Sequence, residues 1–384
     1  MDIEKLADFW LAQIVGVGPV GRRILEDIFG DILSLFAASS EEVHIRMKKD
    51  AISSINNSRK KNEKNNSKTK SKRTYHIPPA VIERLADPSS RTCIAEEYER
   101  VQKQEVIFIR KNDPMYPPRL KHISNPPEQL FVLGHLPDPE QKTIGIVGSR
   151  NCTPYGRDMA RLFAYRLAEA GMGVISGMAL GVDSWAHRGA LEAGGDTFAV
   201  LGCGVEVCYP TSNEKIYREL KEKGGVISEY PTTFGALAQN FPMRNRIVSG
   251  LSDGILVIEA RIRSGSLITA DAALEQGKDV FAIPGRIGDE LSVGCNRLIR
   301  QGAIPVLTPE DILEYYNIHR PIDNSSKLSP EEQQLLEMIG TTPVALSTLA
   351  ESMQGSFANT HRLVMKLKKN RYIRETSRDR YIKI

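Results

Sequence analysis

Residues 142–183 read KTIGIVGSRNCTPYGRDMARLFAYRLAEAGMGVISGMALGVD, and this stretch decides the fold. The apolar run TIGIV ends in small and polar residues. A helical segment preset by Pro154 follows, and then a second apolar run, GVIS. Strand, helix and strand in this order make the unit of a parallel sheet. The alternation continues from Lys142 to Leu313, with candidate strands TIGIVGS, GVISG, TFAVLGC, GVISE, GILVIEA, DVFAIPG and AIPVL. Between them helices start near Pro154, Asp183, Asn213, Pro242, Ser266, Leu291 and Pro309. Runs this rich in Val, Ile and Phe suit strands covered on both faces. The predicted fold class is α/β, a Rossmann-like doubly wound parallel sheet over residues 113–318.

Outward from this core, residues 1–112 predict a small helical domain. Ile3 to Ile14 has helical apolar spacing and runs into IVGVGPVGRRIL, where Gly16, Gly18 and Gly21 surround Pro19. Helix, glycine turn and helix suggest a SAM/helix-hairpin-helix-like module, whose amides either hold DNA phosphates or serve a purely structural end. An insertion at 46–75 carries eleven Lys or Arg against two acids and has almost nothing apolar between Asn56 and Thr74. Such a segment cannot order itself by burial, and it reads either as a DNA-holding arm or as a solvated loop. Helices near Pro79 to Ala86 and Arg91 to Gln104 lead to the strand VIFIR and the turn-rich connector NDPMYPPRLKHISNPP. At the other end a polar linker, 319–327, precedes residues 328–384. There, three helices and the hairpin YIRETSRDRYIKI predict a winged-helix domain. Its third helix offers Arg362, Lys366 and Lys369 as auxiliary DNA contacts, although small winged helices equally dock proteins.

Composition narrows the class of function. The 384 residues carry a net charge of +4, with 41% hydrophobic and 26% charged residues. Apolar runs stay well short of the roughly 20 residues that a membrane span needs. The start, MDIEKLADFWLAQ, mixes charge into its apolar residues and lacks the layout of a secretion signal, so the expected location is the cytoplasm. Five scattered cysteines without CxxC pairs argue against a disulfide framework or a zinc site. No cofactor and no metal is expected.

The chemistry gathers at the carboxyl ends of the strands, where such sheets bind ligands. The first strand ends in Gly148, Ser149 and Arg150. The second leads into SGMALGVD, where Gly177 and Gly181 allow close backbone approach and Asp183 is expected to cap the next helix. GxxxGxD is not the dinucleotide fingerprint GxGxxG, so a nicotinamide or flavin cofactor is not supported. NFPMRNRIVSGLSD adds Phe241, Arg244, Asn245 and Arg246, and EARIRSGS adds Arg263, Ser264 and Ser266. Four arginines and many free amides on one edge suit a chain of phosphates better than one small anion. Asp183, Glu229 and Glu259 are too isolated to suggest a nuclease metal cluster. Glu259 is a candidate to orient Arg244 or Arg246.

The series VGSR, SGMALGVDSWAHRGAL, AVLGCGVEVCYPTSN, SEYP, FPMRNRIVSGLS, VIEA, SGSLITADAALEQGKDVFAIPG and GCNRLIRQGA resembles the DNA-processing protein A (DprA, also called Smf) family across residues 113–307. The resemblance implies a non-enzymatic protein that binds single-stranded DNA, forms a homodimer through the Rossmann-like domain and loads the RecA recombinase onto DNA during natural transformation. It implies a pocket at Arg150, the glycines of SGMALGVD and the RNR segment, with bases stacked on Phe241. One departure is visible. Relatives carry a lysine in the loop before FPxRNR, whereas TTFGALAQN has no basic residue. The enzyme alternative on a related fold is a phosphoribohydrolase. It would need a PGGxGTxxE segment, and this chain has SGSLITADAALEQ at that turn.

Overall fold

The computed structural model describes residues 2–50, 77–318, 328–340, 342–353, 356–369, 372–377 and 379–383. The chain divides into two compact units, Met1–His319 and Arg320–Ile384. The basic insertion lies outside the described residues from position 51 onward, as do the linker and Arg378.

Among the described residues of the first unit, nine strands form one sheet: β1 (Ile107–Arg110), β2 (Gln129–Gly134), β3 (Thr143–Val147), β4 (Gly173–Ser176), β5 (Thr197–Val200), β6 (Gly225–Ser228), β7 (Gly254–Val257), β8 (Asp279–Ala282) and β9 (Ile304–Pro305). Their order is β1-β2-β6-β5-β4-β3-β7-β8-β9. From β6 to β9 the neighbours are parallel, as the apolar runs predict. The all-parallel expectation needs one correction. β1 and β2 extend the sheet antiparallel beyond β6, so the sheet begins at Ile107, inside the stretch assigned to the amino-terminal domain.

Strand periodicity explains how both faces are covered. Ile144 and Ile146 point to one face and Val147 to the other, as successive side chains must. The first face packs against the helices Pro154–Glu169 and Val182–Glu192 through Phe163, Leu167 and Ala186. The second packs against Asn240–Leu251 and Gly265–Glu275 through Ile247, Leu251 and Ala273. Each fully buried Phe, Leu or Ile among these contributes about 1.5–3 kcal/mol of transfer free energy. β3 is the first parallel strand, with β4 on one side and β7 on the other. The winding direction therefore reverses at β3, which marks the ligand crevice of an open α/β sheet.

The amino-terminal helices Ile3–Gln13 and Pro19–Phe29 are joined by the predicted glycine turn, in which Gly16 has φ +106° and Gly18 is the N-cap position of the helix that Pro19 opens. They share a core with the sheet. Phe9 meets Tyr98, Phe108 and Phe131 edge-on at 4.9, 5.2 and 6.1 Å.

In the second unit, helices Pro330–Met338, Leu346–Ser352 and Phe357–Lys369 accompany a small sheet in which Arg380–Lys383 lies between Val344–Ala345 and Ile373–Ser377. Ser329 and Glu332 form a capping box, and Lys366 pairs with the nearly buried Glu332 at 2.6 Å. Lys366 is thus committed within its own unit. Arg362 remains exposed and donates to Asn359 at 2.9 Å, while the Lys369 side chain lies outside the description.

Candidate nucleic-acid interface

A cavity of about 710 Å³ opens at the carboxyl ends of β3, β4 and β7, where the winding reverses. Gly148, Ser149, Arg150, Gly177, Asp183, Phe241, Arg244, Asn245, Arg263, Ser264 and Ser266 all line it. The structure therefore brings together most of the residues that the sequence singles out. Gly181 and Arg246 are not among the lining residues.

The loop after β3 is held from below. Ser149 N–H donates to the Glu259 carbonyl at 2.8 Å, and the Glu259 carboxylate accepts from Thr153 N–H at 2.8 Å and its hydroxyl at 2.5 Å. Thr153 in turn caps the Pro154–Glu169 helix by accepting from Gly156 N–H at 3.0 Å. Glu259 thus fixes the loop that carries Arg150 and does not orient Arg244 or Arg246. From the other side Gly181, at φ +76°, packs so closely that an added Cβ would lie 2.3 Å from the Ser149 carbonyl oxygen. Gly181 shapes the loop without lining the cavity.

Arg244 has a structural position at the cavity floor. It is only 4% exposed, and Nη1 donates to the carbonyls of Gly177, at 2.8 Å, and Val200. Those carbonyls stand at the ends of β4 and β5, and the guanidinium gives both a donor. It also explains Gly177, where a Cβ would lie 2.5 Å from the guanidinium. Asp183 corrects another expectation. Gly181 is the N-cap of the Val182–Glu192 helix, and the Asp183 carboxylate, inside the first turn, accepts from the amides of Gly177 at 3.2 Å and Ala179 at 3.4 Å. Burial pushes this carboxyl up, against the pull of Arg244, the two amides and Arg150.

Arg246 points elsewhere. Two residues along a helix turn the side chain about 200° from Arg244. Its Nη2 pairs with Glu229 at 2.5 Å, both groups largely buried, while Nε and Nη1 have no hydrogen-bond partner among the described residues. The grouping of Arg246 with the edge arginines is therefore overturned by geometry. Asn245 faces the cavity and donates to the Gly265 carbonyl at 3.2 Å, tying the RNR helix to the Gly265–Glu275 helix, whose N-cap is Ser264.

Among the described residues, Arg150 and Arg263 find no carboxylate partner. The Arg150 guanidinium lies 5.4 Å from the Phe241 ring centroid, and Tyr209 lies 5.5 Å from the same ring, tilted by 32°. Tyr209, Arg261 and Asn151 also line the cavity, and sequence reasoning missed them. Arg261 stands two residues before Arg263 in the same basic turn. Tyr209 gave no signal beyond its place in VEVCYPTSN. Arg261 pairs with Glu290 at 3.1 Å on the surface, an arrangement weak enough to rearrange. The loop lacking lysine contributes only neutral residues, Ala236 and Ala238, to the wall. Four arginines against one lining carboxylate give a cavity of positive potential with an aromatic pair at its side.

Residues 107–317, more than half of the chain, match the family model described as DNA recombination-mediator protein A. The Smf protein of Escherichia coli strain K12 is 42% identical over 256 residues, which cover 64% of this chain and 68% of that one. The DNA processing protein DprA of Streptococcus pneumoniae is 42% identical over 201 residues, covering 52% and 71%. An X-ray structure of DprA from Streptococcus pneumoniae superposes with a TM-score of 0.55 at 37% identity, covering 62% of this chain and 82% of that chain. A Helicobacter pylori DNA processing protein A, whose structure concerns its single-stranded DNA binding mode, superposes with a TM-score of 0.50 at 29% identity, covering 56% and 98%. The fold, the cavity and these similarities together establish that the chain belongs to the DNA recombination-mediator protein A family, the family of the DprA and Smf proteins.

Proposed function

We propose that the chain binds single-stranded DNA in the cavity at the β3 switch point and acts as a non-enzymatic mediator that loads the RecA recombinase during recombination and natural transformation. Four arginines facing one carboxylate carry this reading. Phosphates sit against Arg150, Arg261 and Arg263 and the small polar turn at Ser264–Ser266, while the Tyr209–Phe241 pair offers a ring surface for bases. Such contacts ignore base identity, so binding is tolerant of sequence. The single-stranded DNA binding mode described for the Helicobacter pylori relative supports the same ligand.

The protein acts in the cytoplasm as a homodimer through the Rossmann-like, doubly wound domain. Exposed Ile262 and Ile268, which line one shallow cavity beside Arg263, support a self-association surface there. The carboxyl-terminal unit is read as a winged helix with Arg362 its exposed basic group. The test is anisotropy of labelled oligo-dT and of its duplex against the full chain. Tighter binding of the single strand supports the reading, and equal or no binding removes it.

A further inference from the structure

The amino-terminal edge of the sheet, opposite the cavity described above, carries a second basic concavity. In a parallel sheet the residues just before each strand gather on one edge, and here these are Lys142, Asp253 and Lys278, before β3, β7 and β8. The short helix Pro118–Lys121 lies beside them. Together these elements enclose a cavity of about 300 Å³ lined by Pro118, Arg119, His122, Ile123, Gln276 and Lys278.

The acceptors near this cavity are already used. Asp253 takes Arg119 at 3.3 Å, Lys142 at 3.2 Å and the Thr143 amide at 2.8 Å. Asp279 takes the hydroxyls of Tyr315 at 2.8 Å and Tyr316 at 3.1 Å. Gln276 is spent on Ser249, at 2.9 Å, and the Arg246 carbonyl, at 3.1 Å. Lys278 is left as a half-buried ammonium without a hydrogen bond or ion pair among the described residues. Burial holds it below the ordinary lysine value, Arg119 and Lys142 add to that, and Asp253 and Asp279 only partly oppose it. A desolvated ammonium with unspent donors is costly, and an anionic oxygen in the cavity is the partner that relieves it. Lys278 stands on one wall, and Arg119, whose Nη2 also donates to the Gln141 carbonyl at 2.7 Å, and His122 stand on the other; donors converging from two sides suit a tetrahedral anion with several oxygens better than a planar carboxylate.

We propose that this cavity is a second site, binding one phosphate group through Lys278, Arg119 and His122. The phosphate is either a free phosphate or a single phosphate of a nucleic-acid chain. The site does not depend on the reading of the arginine cavity.

Calorimetric titration of inorganic phosphate, at constant ionic strength, into the full-length wild type, Arg150→Ala and Lys278→Gln tests it. Binding should survive in Arg150→Ala and weaken about tenfold or more in Lys278→Gln, the cost of one charge-assisted hydrogen bond. Lys278→Arg should restore it, and urea unfolding should show Lys278→Gln as stable as wild type, since it removes an unpaired charge. A long oligo-dT separates the sources. A salt slope shallower by about 0.7 in Lys278→Gln assigns a backbone phosphate, and an unchanged slope beside weakened phosphate binding assigns the free anion. The proposal is overturned if Lys278→Gln alters neither phosphate affinity nor slope. It is also overturned if phosphate binding is lost in Arg150→Ala and kept in Lys278→Gln.

Discussion

Arg244 Nη1 donates to the carbonyl of Gly177 at 2.8 Å, joining the second turn of the RNR helix to the end of β4. The same nitrogen serves Val200 at the end of β5. One buried guanidinium thereby fixes the floor on which the freer arginines stand.

Arg244→Ala should therefore act on stability. It leaves two carbonyls without a donor and the buried Asp183 without its cation, a loss of about 3–5 kcal/mol. Urea unfolding checks this, with Arg150→Ala as the contrast, expected within about 0.5–1 kcal/mol of wild type because its guanidinium makes no hydrogen bond or ion pair among the described residues and only stacks on Phe241.

The Glu229–Arg246 pair is a separate test of geometry. Arg246→Ala should destabilise by a few kcal/mol, because it strands a carboxylate that burial already pushes up. The double variant Glu229→Gln/Arg246→Met should lose less than the sum of the two single losses. The salt slope for oligo-dT should be the same in the double variant as in wild type, since Arg246 does not line the cavity.

These two arginines also show what was legible. Apolar runs marked β3 to β9, most of them covered on both faces, and the glycine turns between them marked the ligand edge. The strand Gln129–Gly134 went unread because it follows a proline-rich segment and joins the sheet antiparallel, a pairing that periodicity does not encode. Nor does periodicity reveal that Arg244 is interior, since its acceptors lie 67 and 44 residues away along the chain. The direction of Arg246 was within reach of helical spacing, but its partner Glu229 was not.

Acid should expose His187. This residue is fully buried on the Val182–Glu192 helix. The Thr197 hydroxyl donates to the Val174 carbonyl, so it accepts from His187 Nδ1–H at 2.7 Å, and Nε2 has no partner among the described residues. Burial, with Arg244 adding to it, pushes the imidazole down to about 3. The unfolded chain, with a value near 6.5, binds a proton that the folded one refuses. Stability from this group is complete above pH 6.5 and falls as the pH drops toward 3, by up to a few kcal/mol. His187→Gln should flatten that acid limb in urea unfolding measured from pH 7 to pH 4.

Gly181→Ala should fail at the loop below Arg150. Its φ of +76° and the 2.3 Å approach of an added Cβ to the Ser149 oxygen force the backbone to move. A loss of about 1–3 kcal/mol or more is expected in denaturant unfolding, together with weaker oligo-dT binding.

Tyr209→Ala should cost about 1–3 kcal/mol of oligo-dT affinity while leaving the salt slope intact, because it removes a ring and no charge. Fluorescence anisotropy reads both quantities.

The most direct measurement is oligo-dT affinity across a salt series for wild type, Arg150→Ala and Arg263→Ala. Wild-type affinity should fall steeply with salt. Each variant should bind at least about tenfold more weakly, with a slope shallower by roughly 0.7 for each phosphate that is no longer neutralised. Variants that bind like wild type, with the same slope, would contradict the assignment of this cavity to single-stranded DNA.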